Sequence, residues 1–134
     1  MENYKIKIAH LYPKMLNLFG DNGNIVTLIK RCLWRDIEVE FNEINPDNEL
    51  SENDLYFIGS GLDKQQKEIA DLMLKSKDFF IKERDNNKVF LGIDGGFQLL
   101  GNYYQNADGV KTECVSLIDS YTSELNILLE KRKD

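Results

Sequence analysis

The residues of this 134-residue chain best suited to chemistry lie in two glycine-rich stretches, each directly following a short apolar run. The first is Phe57-Ile58-Gly59-Ser60-Gly61-Leu62-Asp63, and the second is Leu91-Gly92-Ile93-Asp94-Gly95-Gly96-Phe97-Gln98-Leu99-Leu100-Gly101. In the second, glycines flank a single acidic side chain, Asp94, where a strand turns sharply into a helix. That shape lifts the side chain above the sheet beside a helix N-terminus. Gly59, Ser60 and Gly61 are expected to face it with backbone N–H groups, the arrangement that stabilises a developing oxyanion. Two roles are open for Asp94. As a helix cap it accepts backbone N–H bonds and is favoured by the helix dipole by about 0.3–1 kcal/mol, which is the expected role. As a nucleophile it acts on an alkyl or phosphoryl centre, but no base, second carboxylate or metal set accompanies it.

The elements that must position these stretches are legible from periodicity. Tyr4 to Leu11 alternates, with Ile6 and Ile8 on one face, and predicts a strand; Gly20-Asp21-Asn22-Gly23 turns the chain into a helix over 24–34. Ile37 to Ile44 predicts a second strand, closed by Asn45-Pro46-Asp47-Asn48. The continuous apolar run Leu55 to Ile58 suits a central parallel strand covered on both faces. Ile69, Leu72, Met73 and Phe80 recur at helical spacing and predict one long helix over 63–84, and Val89 to Ile93 is the next buried strand. A third helix runs from Gly95-Gly96 to Gly101, and Tyr103-Tyr104 reads as helix packing. Beyond Asn106-Ala107-Asp108-Gly109 a strand is expected near Val115 to Ile118. A last helix is expected from Ser123, with a Leu125, Leu128, Leu129 stripe and Lys131-Arg132-Lys133 at its C-terminal end. Strands alternating with helices imply one α/β domain over 1–134, a mostly parallel sheet with helices on both faces.

Composition narrows the function classes. Lysine and arginine total 17 against 23 acidic residues, a formal charge of -6, which argues against nucleic-acid binding through a basic groove. An acidic decoy that mimics nucleic acid toward a basic partner remains a rival. No signal peptide or membrane-spanning run is present in the sequence, and a cytoplasmic location is expected. Cys32 and Cys114 have neither metal-ligand nor disulfide-framework spacing and are expected to be reduced thiols, so no metal and no cofactor is implied. The lone histidine, His10, is expected to be structural.

Four blocks in order resemble the class I, triad-type glutamine amidotransferases, most of all the glutaminase subunit that works with a Mur-ligase-like partner to amidate lipid II, related to the cobyric acid synthase glutaminases. They are Leu11-Tyr12-Pro13 with Leu16-Asn17-Leu18, Gly20-Asp21-x-Gly23-Asn24 and Arg31; Ile58-Gly59-Ser60-Gly61-x-Asp63-x-Gln65-Gln66; the elbow stretch above; and Leu117-Ile118-Asp119-x-Tyr121-Thr122. The resemblance covers about residues 5 to 122. It implies a flavodoxin-like fold, an oxyanion loop at Gly59-Ser60-Gly61, an elbow at Gly95-Gly96, and Gln98 lining a glutamine pocket. Read from the residues alone, Gln65, Gln66 and Gln98 are polar residues at helix starts.

The chain departs from that pattern in four places. Asp94 stands where the family has its nucleophilic cysteine, and the family's histidine base and its acid come from a segment not present here. Cys114 and Ser116 replace glycines, and Glu124 to Leu129 contains no arginine to hold a glutamine carboxylate. The expectation is a truncated pseudo-glutaminase, a non-catalytic module that engages a ligase-type synthetase or a second copy of itself, with residual glutamine binding possible. The alternatives are a glutaminase subunit of lipid II amidation altered at its nucleophile, and an acidic inhibitor from a mobile element. An unpaired sheet edge left by truncation predicts that the chain is not an isolated monomer.

Overall fold

The computed structural model describes residues 3–18 and 21–124. Four parallel strands form the main sheet: β1 (Tyr4–Leu11), β2 (Ile37–Ile44), β3 (Leu55–Ile58) and β4 (Val89–Gly92), in the order β2-β1-β3-β4. Helix α1 (Asn22–Leu33) follows β1, α2 (Asp63–Lys75) and α3 (Lys77–Asp85) follow β3, and the short α4 (Gly95–Leu100) follows β4. The chain then builds a small second sheet from β5 (Tyr103–Gln105), β6 (Lys111–Glu113) and β7 (Tyr121–Ser123), ordered β6-β5-β7.

Alternation along the strands divides the apolar residues between two layers. Ile8 and Phe57 pack with Ile25 of α1, supported by Ile6, Leu28, Ile29 and Val39. The opposite face, Ala9, Leu11, Tyr56 and Ile58, packs with Ile69, Ala70 and Met73 of α2 and Phe80 of α3. Each large side chain taken fully from water contributes about 1.5–3 kcal/mol, so two covered faces are what a parallel sheet of this size requires. At the amino end of β3 the Tyr56 hydroxyl donates to Glu83 Oε2 at 2.6 Å and accepts the Asn53 N–H at 2.9 Å, with the Ser51 carbonyl 3.0 Å away. Burial, reinforced by the Glu83 carboxylate, raises the pKa of this phenol.

Several expectations are corrected. The helix expected over 63–84 is two helices. Ser76, at φ -113 and ψ 25, leaves helical geometry between them, and the new direction brings Phe79 and Phe80 against Tyr56 and Phe90. No strand forms at 115–118. The N–H groups of Ser116, Leu117 and Ile118 bond instead to the carbonyls of Gly101 and Leu100, so this segment wraps the end of α4, with Ser116 at φ 58. Tyr103 and Tyr104 belong to β5 rather than to a helix, and Tyr103 stacks on Tyr121 at 5.1 Å. Helix α1 begins at Asn22, ahead of the expected start, and the strand expected to reach Ile93 ends at Gly92. Ser123 lies in β7 and Glu124 is not helical either, and the expected last helix from Leu125 on, with its leucine stripe, lies outside the described residues.

Candidate functional site

Because β3 and β4 are adjacent and parallel, with Ile58 paired to Gly92, their carboxyl ends deliver the two glycine-rich stretches side by side. The Ile93 N–H still bonds to the Ile58 carbonyl at 3.0 Å, and the chain then turns at Asp94, which has φ 54 and ψ -111. This lies outside the left-handed helical well, in a region an L-residue occupies only under strain. The surroundings enforce the turn. A Cβ on Gly96 would collide with the Ile58 carbonyl, so this position needs glycine to let α4 approach the end of β3, and one on Gly95 would press on the side-chain amide of Gln66. The expected cap is not there: Asp94 precedes α4 without a capping hydrogen bond, its side chain exposed toward solvent. With φ positive, Asp94 lacks the extended backbone from which a cap residue reaches back to the helix amides.

The opposing loop is held from two sides. The Ser60 N–H donates to Asp21 Oδ2 at 3.0 Å, and Leu18 N–H donates to the Ser60 carbonyl at 2.8 Å, which ties the loop to the segment after β1. Gly59 has the Asp21 carboxylate and the Leu16 carbonyl where a side chain would stand. The Ser60 hydroxyl donates to the Ile93 carbonyl at 2.9 Å and accepts the Gly95 N–H at 2.9 Å, bridging the elbow across Asp94. The expectation that this loop offers free N–H groups is thus corrected for Ser60, whose amide is used by Asp21.

Above the elbow lies a cavity of about 570 Å³. Ser60, Gly61, Asp94 and Gly95 line its floor, and Gln66 of α2 and Gln98 of α4 meet in its wall through Gln66 Nε2 donating to Gln98 Oε1 at 2.8 Å. The second sheet closes the far side with Tyr104, Thr112 and Thr122, which share one face because β5 pairs Tyr104 with both threonines. Its charged lining residues are Asp63, Asp94 and Glu124 against Lys67. Among the predicted site residues, Ser60, Gly61, Asp94, Gly95 and Gln98 face the cavity, while Gly59 and Gly96 shape it from behind. Sequence reading missed Gln66 as a site residue and Asp21 as the anchor of Ser60. Gln66 was visible only as a polar residue at a helix start, and the Gly20-Asp21-x-Gly23 block was the one signal for Asp21. Tyr104 and Thr112 carried no signal, since they reach the cavity through strands the periodicity did not reveal.

His10 is fully buried at the carboxyl end of β1, edge-on to Phe57 at 5.2 Å, and neither ring nitrogen has a hydrogen-bond partner. Burial lowers its pKa, opposed by the charges of Glu43 and Asp21. It takes no part in the cavity lining, in keeping with a structural role. Cys32 and Cys114 are free thiols, and burial pushes Cys114 up to about 12. Among the described residues no group of three or more His, Cys, Asp or Glu side chains is placed to hold a metal ion. None of the described helices is long and apolar enough to cross a membrane.

Residues 7–130, a span that holds the strand-exit loop and the strained elbow, match the family described as the CobB/CobQ-like glutamine amidotransferase domain. The chain belongs to this family. It is 37% identical over 121 residues to the lipid II isoglutaminyl synthase (glutamine-hydrolyzing) subunit GatD of Streptococcus pneumoniae, an alignment covering 89% of this chain and 46% of that protein. It is 34% identical over 121 residues to the subunit of the same name from Staphylococcus aureus, covering 89% of this chain and 50% of that one. The amidotransferase-like chain thus spans about half the length of the curated relatives it matches.

Proposed function

We propose that this chain is a non-hydrolytic glutamine amidotransferase-like module that binds or regulates a ligase-type synthetase subunit. The observation that carries the reading is Asp94 at the elbow. The exposed side chain at the turn on the cavity floor is a carboxylate, which cannot form the thioester through which an amide is opened. His10, the chain's one histidine, is buried and is not among the residues that line the cavity. The cavity keeps the paired amides of Gln66 and Gln98, which leaves room for residual glutamine binding. On the described residues the outer edge of β4 has no strand beside it, and Val89 and Ile93 are exposed there, so either a synthetase or a second copy of the chain gains by covering it. The test is ammonia release from glutamine, together with light scattering of the protein alone and with a Mur-ligase-like subunit. Glutamine turnover by the native protein, or a monomer that ignores that subunit, sinks the proposal.

The names and identity of the two relatives favour a second reading, the glutaminase subunit of a lipid II amidating enzyme altered at position 94. A cysteine codon at position 94 of the source gene, in a frame that runs on past codon 134, decides for it.

A further inference from the structure

We infer that Ser60 closes the oxyanion position of this elbow from within, a block separate from the missing thiol. In a strand–turn–helix elbow, the N–H of the residue after the elbow side chain is one of two donors aimed at a tetrahedral oxyanion, and the other comes from the facing loop. Here the first is the Gly95 N–H, and it is given to Ser60 Oγ at 2.9 Å in a buried bond. The Ser60 proton goes to the Ile93 carbonyl, so the hydroxyl is satisfied on both sides, and the residue is 2% exposed. The amide of Ser60, on the facing loop, is occupied by Asp21. A water in such a place is displaced by substrate, but a hydroxyl on the protein chain stays. The inference deepens the non-hydrolytic reading, on which it rests for the reaction concerned. It assigns the loss of oxyanion binding to Ser60 rather than to Asp94.

The test compares Asp94→Cys with Asp94→Cys/Ser60→Ala, using the γ-semialdehyde of N-acetylglutamate as probe. The elbow sulfur adds to the aldehyde carbon, the thiol proton passes to the former carbonyl oxygen, and the hemithioacetal that forms has no leaving group. Its oxygen occupies the oxyanion position. Adduct formation is titrated by NMR of the isotopically labelled aldehyde carbon, with the native protein, which carries the same Cys32 and Cys114, as the blank. One freed donor is expected to raise adduct affinity at least about tenfold, below the 10²–10³ that removal of such a donor costs in catalysis. Alkylation by iodoacetamide, which needs no oxyanion donor, is expected at equal rates in both variants. Equal aldehyde affinity, including no adduct in either variant, overturns the inference, as does an iodoacetamide rate that rises in step with the affinity. If Ser60→Ala does not melt cooperatively, Ser60→Gly replaces it under the same criteria. Ammonia release by the native protein sinks the non-hydrolytic reading, whereas this contrast between two thiol variants stands or falls without it.

Discussion

Replacing Asp94 by glycine is expected to make the protein more stable than replacing it by alanine. At φ 54 and ψ -111 the Cβ of residue 94 is held against its own backbone, a conformation that costs of order 1–3 kcal/mol for an L-residue and nothing comparable for glycine. Glycine gives back about 0.4–1 kcal/mol through the greater freedom of its unfolded chain. The difference between the two variants is therefore about 0.5–2 kcal/mol in favour of glycine. Because both remove the carboxylate, the interaction of charge with the α4 dipole cancels from the comparison. For a chain of this size a kcal/mol moves the melting midpoint by roughly 4 °C, so the gap is readable by calorimetry as well as by urea denaturation. Against the native protein, Asp94→Ala is expected within about 0.5 kcal/mol, since no capping bond is lost and only a weak dipole term remains. The reasoning is refuted if Asp94→Gly is no more stable than Asp94→Ala. A loss of 1 kcal/mol or more in Asp94→Ala that Asp94→Asn does not share would restore the capping role.

Three further outcomes are expected. His10→Leu removes two unpartnered buried ring nitrogens and is expected to gain about 1 kcal/mol at pH 7. Its pKa is lowered in the fold, so below about 6.5 the unfolded chain takes up a proton that the folded one refuses. Native stability should then fall as pH drops from 6.5 toward the folded pKa, by at most about 1.4 kcal/mol per pH unit, and His10→Leu should lack that slope in urea titrations. Tyr56→Phe strands the Asn53 N–H and one Glu83 oxygen and is expected to cost about 1–3 kcal/mol, measured by denaturant midpoint. With a disulfide-exchange thiol reagent at pH 8, Cys32 should react readily and Cys114 only on unfolding, as quantified by peptide mass; equal rates would contradict the burial of Cys114.

The parallel sheet was legible because burial on both faces leaves an unambiguous mark. Leu55 to Ile58 is uniformly apolar, and the bounds read for β1, β2 and β3 coincide with those observed. The two chemistry-bearing stretches were equally visible, since glycines such as Gly92, Gly96 and Gly101 stand where a side chain would run into backbone. The break at Ser76 was hidden because Met73 and Phe80 keep helical spacing across it, and periodicity does not register a change of axis. Strands of three residues, as in β5, β6 and β7, are too short for alternation to show, so Tyr104, Thr112 and Thr122 were not placed at the cavity. The hydroxyl of Ser60 was legible as a residue but not as a bond, because its partners Ile93 and Gly95 lie more than thirty positions along the chain.

The Tyr56 hydroxyl is held by Asn53 and Glu83, and none of these three residues lines the cavity beside the elbow. Residues that secure the fold and residues that meet a ligand are therefore largely different residues. A lineage that no longer needed amide hydrolysis would face little purifying pressure on position 94 and its neighbours, while a change at Tyr56 or Glu83 would still be removed by selection for folding. Sequence drift in such a protein should accumulate at the carboxyl rim of the sheet and spare its base, leaving a scaffold free to be recruited to a new partner.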